Sequence, residues 1–188
     1  KLSIMYKNGN PIETTYYGVN GKPCLSKDGY AKMTVKYKNG FPIKVALYGA
    51  DGKPCLDNDG VSKYISKYED GNQIETAYYG VDGKPCLNNN GIAKLTAKYE
   101  DGHQVETAFY GVDGKLCLHK EGYAKWTAKY EDGNRIETAY FGVDGKPCLC
   151  KDGFAKLISK YEDGNPIFQA YYDVDGKLCL CKDGFAKL

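Results

Sequence analysis

Residues 92–118 read IAKLTAKYEDGHQVETAFYGVDGKLCL, and this stretch decides the fold. Apolar and polar side chains alternate on both sides of the Glu-Asp-Gly segment at 100–102, as in β-strands, where successive side chains point to opposite faces. The pattern predicts a β-hairpin. A three-residue loop at 100–102, with positive φ at Gly102, opposes Ala97 to Val105 and unites the apolar faces, whereas a two-residue loop mixes apolar with polar positions.

The same pattern recurs every 31 residues along the chain. The interval is marked by six cysteines: Cys24, Cys55, Cys86, Cys117, Cys148 and Cys179. Six units of 31 residues account for all but two of the 188 residues, and no segment has helical periodicity. We therefore expect an all-β fold in which tandem 31-residue β-hairpin repeats stack into one elongated solenoid-like array over residues 1–188. Because residues 187–188 repeat residues 1–2, we expect a section of a longer array, cut mid-repeat, whose two ends associate end to end.

Each repeat contains two further turns after the hairpin. The turn at 112–115 is expected to be another three-residue loop, although a two-residue Asp-Gly turn also fits, and a short strand at 116–118 follows it. A third turn, such as the one at 151–153, leads to the next repeat. Three columns of side chains are predicted to form the core: the Met33, Tyr64, Leu95, Trp126, Leu157 series, the Ile12, Ile43, Ile74, Val105, Ile136, Ile167 series, and the series that contains Tyr37.

Composition excludes several classes of protein. The net charge is +2 and the pI is about 8.0, whereas a nucleic-acid-binding protein usually carries a stronger basic stripe. No apolar run reaches the roughly 20 residues that a membrane-spanning helix needs. The charge is uneven, because residues 1–62 carry nine lysines against five acidic residues. We expect neither nucleic-acid binding nor membrane insertion.

Two segments resemble known bacterial repeats. The run from Lys129 to Ile136, KYEDGNRI, resembles the core of YD (RHS-type) repeats, where a tyrosine and an acidic residue precede a glycine turn. The run from Ala139 to Lys146, AYFGVDGK, is similar to the aromatic hairpins of choline-binding and other cell-wall-binding repeats. The resemblance implies a β-hairpin array in a modular bacterial protein, secreted or at the cell surface. The recurring Pro-Cys-Leu segment is foreign to both patterns.

The cysteines are candidates for packing, disulfide or metal-binding roles. Free cysteine behaves as a small buried hydrophobe, so packing is the favoured interpretation of the six regular positions. Whether neighbouring repeats approach closely enough for a disulfide depends on how many strand layers each repeat adds. The last two repeats carry Cys-x-Cys, and the alternative hypothesis is a thiolate zinc or copper site formed by Cys148, Cys150, Cys179 and Cys181. Against it, other repeats place Ser26, Asp57, Asn88 or His119 at the Cys150 position, which suggests a surface column.

Paired aromatic residues close the second strand of most hairpins. Neighbouring residues of a strand point to opposite faces, so one member of each pair should enter the core while the other stands outside it. An outer aromatic ladder can stack on sugar rings or on partner side chains. The candidate binding residues are Tyr48, Tyr79, Tyr110, Phe141 and Tyr172.

The sequence shows no arrangement of catalytic residues. Its two histidines, His103 and His119, occupy turn or edge positions that other repeats fill with unrelated residues, and no serine, histidine and acid set stands out. We expect no enzyme activity and no cofactor. The leading hypothesis is a structural or protein-interaction array that serves as a spacer or display scaffold. The alternatives are a glycan or cell-wall binding module and the thiolate metal site.

Overall fold

In a computed structural model, which describes residues 1–184 and 186, the chain is all-β. Twelve strands occur in this part of the chain, and no helix long and apolar enough to cross a bilayer is found in it. The strands are β1 (Leu2–Lys7), β2 (Asn10–Tyr16), β3 (Lys32–Lys38), β4 (Phe41–Tyr48), β5 (Lys63–Glu69), β6 (Asn72–Tyr79), β7 (Lys94–Glu100), β8 (His103–Tyr110), β9 (Lys125–Glu131), β10 (Asn134–Phe141), β11 (Lys156–Glu162) and β12 (Asn165–Tyr172). The predicted hairpin repeat is confirmed.

The chain divides into two compact units, residues Lys1–Lys94 and Leu95–Leu188. Within each unit the strands follow one another in chain order and pair antiparallel with their neighbours. Hairpins are paired along their length, with seven residue pairs between β3 and β4 and between β9 and β10. Successive hairpins share only three pairs, as between β4 and β5 or between β10 and β11. In these two cases the backbone pairing between hairpins therefore does not extend to the hairpin tips.

The hairpin turn differs from the predicted three-residue loop. Only Asp101 and Gly102 separate β7 from β8, and both have positive φ, 49° and 76°, as a type I′ turn requires. The equivalent β9–β10 hairpin shows how the faces still match: its register shifts by one residue between Arg135 and Glu137, so a bulge lies next to the turn. Turn and bulge together oppose Ala128 to Thr138, a pairing on the expected face but two positions beyond Ile136, the partner that the three-residue loop predicts.

The second and third turns are three-residue loops. In the second turn, the Gly111 N–H donates to the Lys115 carbonyl over 2.9 Å, and the Gly114 N–H donates to the Gly111 carbonyl over 3.1 Å. The third turn repeats this arrangement, with donation from the Cys150 N–H to the Phe154 carbonyl over 2.9 Å. The three-residue prediction for the second turn is thus confirmed. The short strand predicted at 116–118 is reduced to a single β-bridge, Tyr110 to Leu116.

The core lies on one face of each sheet, beneath the third turns. Met33 opposes Leu47 on this face, and the third-turn residue Tyr30 lies above the same pair. The most buried column comes just before the first strand of each hairpin and consists of Ala31, Ser62, Ala93, Ala124 and Ala155, each at most 3% exposed. The reason is geometric: the Ala31 N–H donates to the Tyr48 carbonyl, and the Ala31 carbonyl accepts from the Tyr16 N–H. A residue held between two hairpins has room only for a small side chain.

This arrangement corrects two of the predicted core columns. The residues of the isoleucine column lie at the bulge beside each hairpin turn, where neighbouring hairpins separate. They are half-buried, except for Ile167, whose side chain is 58% exposed. The Tyr37 column occupies the tips as well, where the Tyr37 hydroxyl donates to the Pro11 carbonyl of the preceding hairpin. Both columns line the tips instead of the core. The Met33 column lies on the core face, as predicted, and is half-buried.

Candidate functional site

The predicted outer aromatic ladder lies on the face opposite the core. Tyr78 opposes Tyr64 with ring centroids 5.8 Å apart on the core face, whereas Tyr79 opposes Lys63 on the outer face. The division of each aromatic pair between two faces is therefore confirmed. Tyr48, Tyr79, Tyr110, Phe141 and Tyr172 are all half-buried at the ends of their strands.

Lysines cover the rings of Tyr48, Tyr79, Phe141 and Tyr172. The Nζ atom of Lys63 lies 4.3 Å from the Tyr79 centroid. The corresponding distances for Tyr48, Phe141 and Tyr172 are 5.0, 5.0 and 5.3 Å. These are cation–π contacts, which stabilise exposed sites by about 0.5–1 kcal/mol each. A ring with an ammonium group on one face has less surface available for stacking against a sugar.

The regular cysteines lie at contacts between repeats. None of the eight cysteines forms a disulfide, and the six regular ones are half-buried instead of lying in the core. The Cys55 Sγ is 3.9 Å from the Gly29 carbonyl oxygen of the preceding repeat, and Cys148 and Cys179 make the same contact at 3.8 Å with Gly122 and Gly153. Burial, followed by the charge of nearby groups, raises the pKa of the Cys55 and Cys148 thiols. These cysteines pack one repeat against the third turn of the repeat before it.

Cys150 and Cys181 are buried, which corrects the surface placement predicted for their column. They are 8% and 9% exposed and belong to a cluster with Phe154, against which Tyr140 and Cys179 also pack. Burial, followed by the neighbouring cysteine, raises the pKa of Tyr140 to about 12. Among residues 1–184 and 186, no group of three or more His, Cys, Asp or Glu side chains is arranged to hold a metal ion.

In other repeats the residue at the Cys150 position caps the third turn. The Asp57 Oδ1 accepts from the Asp59 and Val61 N–H groups at 2.9 and 3.0 Å. Asn88 makes the same pair of bonds, and His119 Nδ1 accepts from the Glu121 N–H at 3.3 Å. This role had a sequence signal, because Ser, Asp and Asn are typical caps of turns. Burial lowers the pKa of His119, which stacks on Phe109, so the structure gives this histidine a packing role.

Concave clefts lie between hairpin tips, and sequence reasoning did not find them. The cleft between hairpins β3–β4 and β5–β6, which we call the basic cleft, has a volume of about 800 Å³. Its lining includes Lys38, Phe41, Ile43, Ile65, Lys67 and Tyr68. An equivalent cleft of about 560 Å³ lies between hairpins β9–β10 and β11–β12. Both arise because adjacent hairpins share only three residue pairs.

Charge pairs cover the outer face beside these clefts. Lys67, Lys98 and Lys129 bind Glu75, Glu106 and Glu137 at 2.9, 2.9 and 3.0 Å. Burial alone would raise the pKa of Glu106, but the hydrogen bonds and charges of Lys98 and Lys125 lower it. Lysine and glutamate face each other directly across the hairpin, as Lys129 and Glu137 do.

No protein-family model and no curated protein matches this chain. The candidate surfaces therefore rest on the geometry described above: the tip clefts, the lysine-covered aromatic column and the cysteine cluster around Cys150.

Proposed function

We propose that this chain is a non-enzymatic repeat array that acts as a structural or protein-interaction scaffold, a spacer or display element in a larger bacterial protein. The observation that carries the proposal is the recurrence of one cleft between hairpin tips at equivalent places in the repeat. Repeat proteins commonly bind partners through such extended, periodically displayed surfaces. Mixed apolar and charged lining, with aromatic residues at the rim, is also typical of protein-binding surfaces.

Regular contacts between repeats support the scaffold role. Within each unit, third turns donate backbone hydrogen bonds to the preceding third turn, as from the Asn58 N–H to the Asp28 carbonyl at 3.1 Å and from the Lys151 N–H to the Glu121 carbonyl at 2.8 Å. Together with the three-pair ladders between hairpins, these bonds connect neighbouring repeats on both sides of the core. Such connections hold successive tips in a fixed order within each unit.

A glycan or cell-wall binding module is the alternative. Its support is the outer aromatic column, where Tyr48 and Pro54 border a small pocket of about 160 Å³. The lysines over the rings weigh against it, because they occupy one stacking face. The two functions differ in the ligands that they select.

End-to-end self-association is also part of the proposal. Strand β1 lies at the edge of the described sheet, and all six of its residues are exposed, including Leu2, Ile4 and Met5. An exposed apolar edge strand is a template for pairing with another chain. Sedimentation velocity over a hundredfold concentration range should show reversible association, and a charged replacement such as Ile4→Lys should remove it.

Selection from a random peptide display library, run beside a glycan array, tests the main proposal. The expected result is enrichment of peptides whose binding is lost when tip residues such as Phe41 or Tyr68 are replaced by alanine. Replacement of Tyr79, on the outer aromatic column, is the matched control and should leave that binding intact. Glycan binding that depends on Tyr79, with no enriched peptides, would overturn the proposal in favour of the alternative.

A further inference from the structure

The β3–β4 hairpin sets two lysines against each other where three other hairpins pair a lysine with a glutamate on the outer face. In the β5–β6, β7–β8 and β9–β10 hairpins, a lysine of the first strand is bound to a glutamate of the second. In the β3–β4 hairpin the directly opposed residues are Lys36 and Lys44. Like charges directly opposite each other on a sheet are destabilising. The β3–β4 hairpin therefore carries an electrostatic cost that the other three avoid.

The excess positive charge is not neutralised within the described chain. None of the salt bridges among residues 1–184 and 186 involves Lys36, Lys38 or Lys44. Lys38 replaces the glutamate that other repeats place before the turn, as at Glu69. The unit that contains these residues carries 13 lysines against nine acidic residues. This surface is therefore complementary to an anionic partner.

Two of these three lysines border the basic cleft. Lys38 lines it, and Lys44 lies opposite Ile65, which lines it as well; Lys67 also lines the cleft but is bound to Glu75. The rings of Phe41 and Tyr68 stack with centroids 4.9 Å apart at the same place. The cleft thus has an apolar interior next to a cationic wall. The opposite wall, the tip of the β5–β6 hairpin, carries Glu69 and Asp70, which gives a ligand one favoured side for its acidic groups.

We propose that the basic cleft binds an acidic polypeptide segment that alternates carboxylate with aliphatic or aromatic side chains. This inference rests on the proposed function and names its partner chemistry. The acidic side chains face Lys38, which lines the cleft, and the Lys36–Lys44 pair beside it. The apolar side chains enter the space lined by Ile43, Ile65 and Ile74. The apolar lining favours a polypeptide over a purely anionic polymer, whose groups would leave that interior unfilled. The equivalent cleft beside Lys129 is a comparison, because Glu137 neutralises Lys129 there, while Lys160 lies over the Phe168 ring.

The experiment is fluorescence anisotropy with the 188-residue chain and three labelled ten-residue peptides. The peptides alternate Leu with Glu, alternate Leu with Lys, or contain Glu alone. We expect the Leu/Glu peptide to bind, the all-Glu peptide to bind about tenfold more weakly, and the Leu/Lys peptide not to bind. Binding of the Leu/Glu peptide should also weaken with salt, since exposed charges are screened. Equal binding of the all-Glu peptide would overturn the proposal, because it would assign the site to anionic polymers.

Lys44→Glu is the decisive variant. It recreates the lysine–glutamate pair of the other hairpins, so the melting temperature should stay the same or rise while peptide binding weakens about tenfold, which corresponds to roughly 1.4 kcal/mol. Lys146→Glu is the matched control: it makes the same change in net charge at an exposed second turn in the other unit, and binding should persist. If Lys44→Glu lost peptide binding because it misfolds, its melting temperature would fall, which distinguishes misfolding from the loss of a charge contact.

Three outcomes contradict the inference. Peptide affinity that is the same in Lys44→Glu as in the wild type overturns the inference. Equal weakening by Lys146→Glu would show non-specific charge attraction. Association of the chain with itself at low salt, abolished by Lys44→Glu and without peptide binding, would assign the surface to a second copy. Library peptides that bind elsewhere on the tips would leave the proposed function standing while this inference fails.

Discussion

The third-turn cap at Asp57 offers the most direct test of how the repeats are held together. Its Oδ1 atom accepts two backbone hydrogen bonds, from Asp59 at 2.9 Å and Val61 at 3.0 Å, and its other oxygen contacts the Tyr64 hydroxyl. The neighbouring residue Asn58 donates its N–H to the preceding third turn. Asp57→Ala therefore removes the cap and loosens a contact between repeats.

The expected loss follows from these two bonds. Each backbone hydrogen bond contributes about 0.5–1.5 kcal/mol net, so Asp57→Ala should lower the free energy of unfolding by about 1–3 kcal/mol. For a chain of this length, a loss of about 2 kcal/mol corresponds to a melting temperature lower by roughly 4–8 °C. Asp57→Asn keeps the Oδ1 acceptor, as Asn88 does in the next repeat, and should stay within about 0.5 kcal/mol of the wild type.

The contribution of the Asp57 charge depends on pH with a definite sign. Burial raises the pKa of Asp57, although backbone hydrogen bonds to Val61 and Asp59 partly oppose the shift. A raised pKa in the folded state means that the charged form is disfavoured there, so this group stabilises the fold most below its ordinary pKa of about 3.9. That stabilisation is lost as the pH rises through the raised value. Asp57→Asn should therefore gain stability relative to the wild type as the pH rises from below the ordinary aspartate pKa through the raised value.

Thermal unfolding followed by circular dichroism, together with hydrogen exchange at the Asp59 and Val61 amides, measures these effects. Faster exchange at both amides in Asp57→Ala, with wild-type rates in Asp57→Asn, is the expected pattern. The reasoning is refuted if Asp57→Ala melts and exchanges like the wild type, or if Asp57→Asn is as unstable as Asp57→Ala.

Three further predictions concern the turn, the charge lattice and the thiols. Gly133→Ala should lower the free energy of unfolding, measured by chemical denaturation, by about 1–2 kcal/mol. The φ of Gly133 is +76° and an added Cβ meets no atom within 4 Å, so the cost is backbone strain alone. An unchanged denaturation midpoint would contradict the type I′ turn. The lysine partners of Glu106 lower its pKa, so the stability that its carboxylate contributes is present above the ordinary glutamate pKa and is lost as the pH falls through the lowered value. Glu106→Gln should flatten that part of the plot of stability against pH. An unaltered plot would refute the linkage. Cys150 and Cys181 should react with a thiol reagent more slowly than the six half-buried cysteines; equal rates would contradict their burial, and a stoichiometric metal ion in the purified protein would instead favour the thiolate site.

The sequence predicted the faces of the hairpin better than its turn. Alternation with period two requires apolar residues of the two strands to meet, but a three-residue loop and a two-residue loop followed by a bulge satisfy that requirement equally. The choice between them depends on the positive φ of Asp101, a backbone preference that the face pattern does not encode. Sequence periodicity likewise could not show that hairpins separate at their tips, and so it placed the column of Ile43 in the core.

The candidate site was only partly visible in the sequence. The outer aromatic residues were identified and lie on the predicted face, but the lysines over their rings depend on cross-strand partners such as Lys63 and Tyr79. Lys44 stands in the sequence as a lysine in a column of glutamates. Its significance appears only once the register sets it opposite Lys36 and beside the residues of the basic cleft.

The sequence by itself determined the period of 31 residues, the all-β class and the division of each hairpin into an apolar and a polar face, because these follow from local spacing. Only the tertiary structure decided the exact strand partners, the alanine column at Ala31 and Ala124, the burial of Cys150 and the clefts between tips. Each of these depends on how one hairpin packs against the next. Such contacts join residues about one repeat apart, and local patterning does not fix their distances.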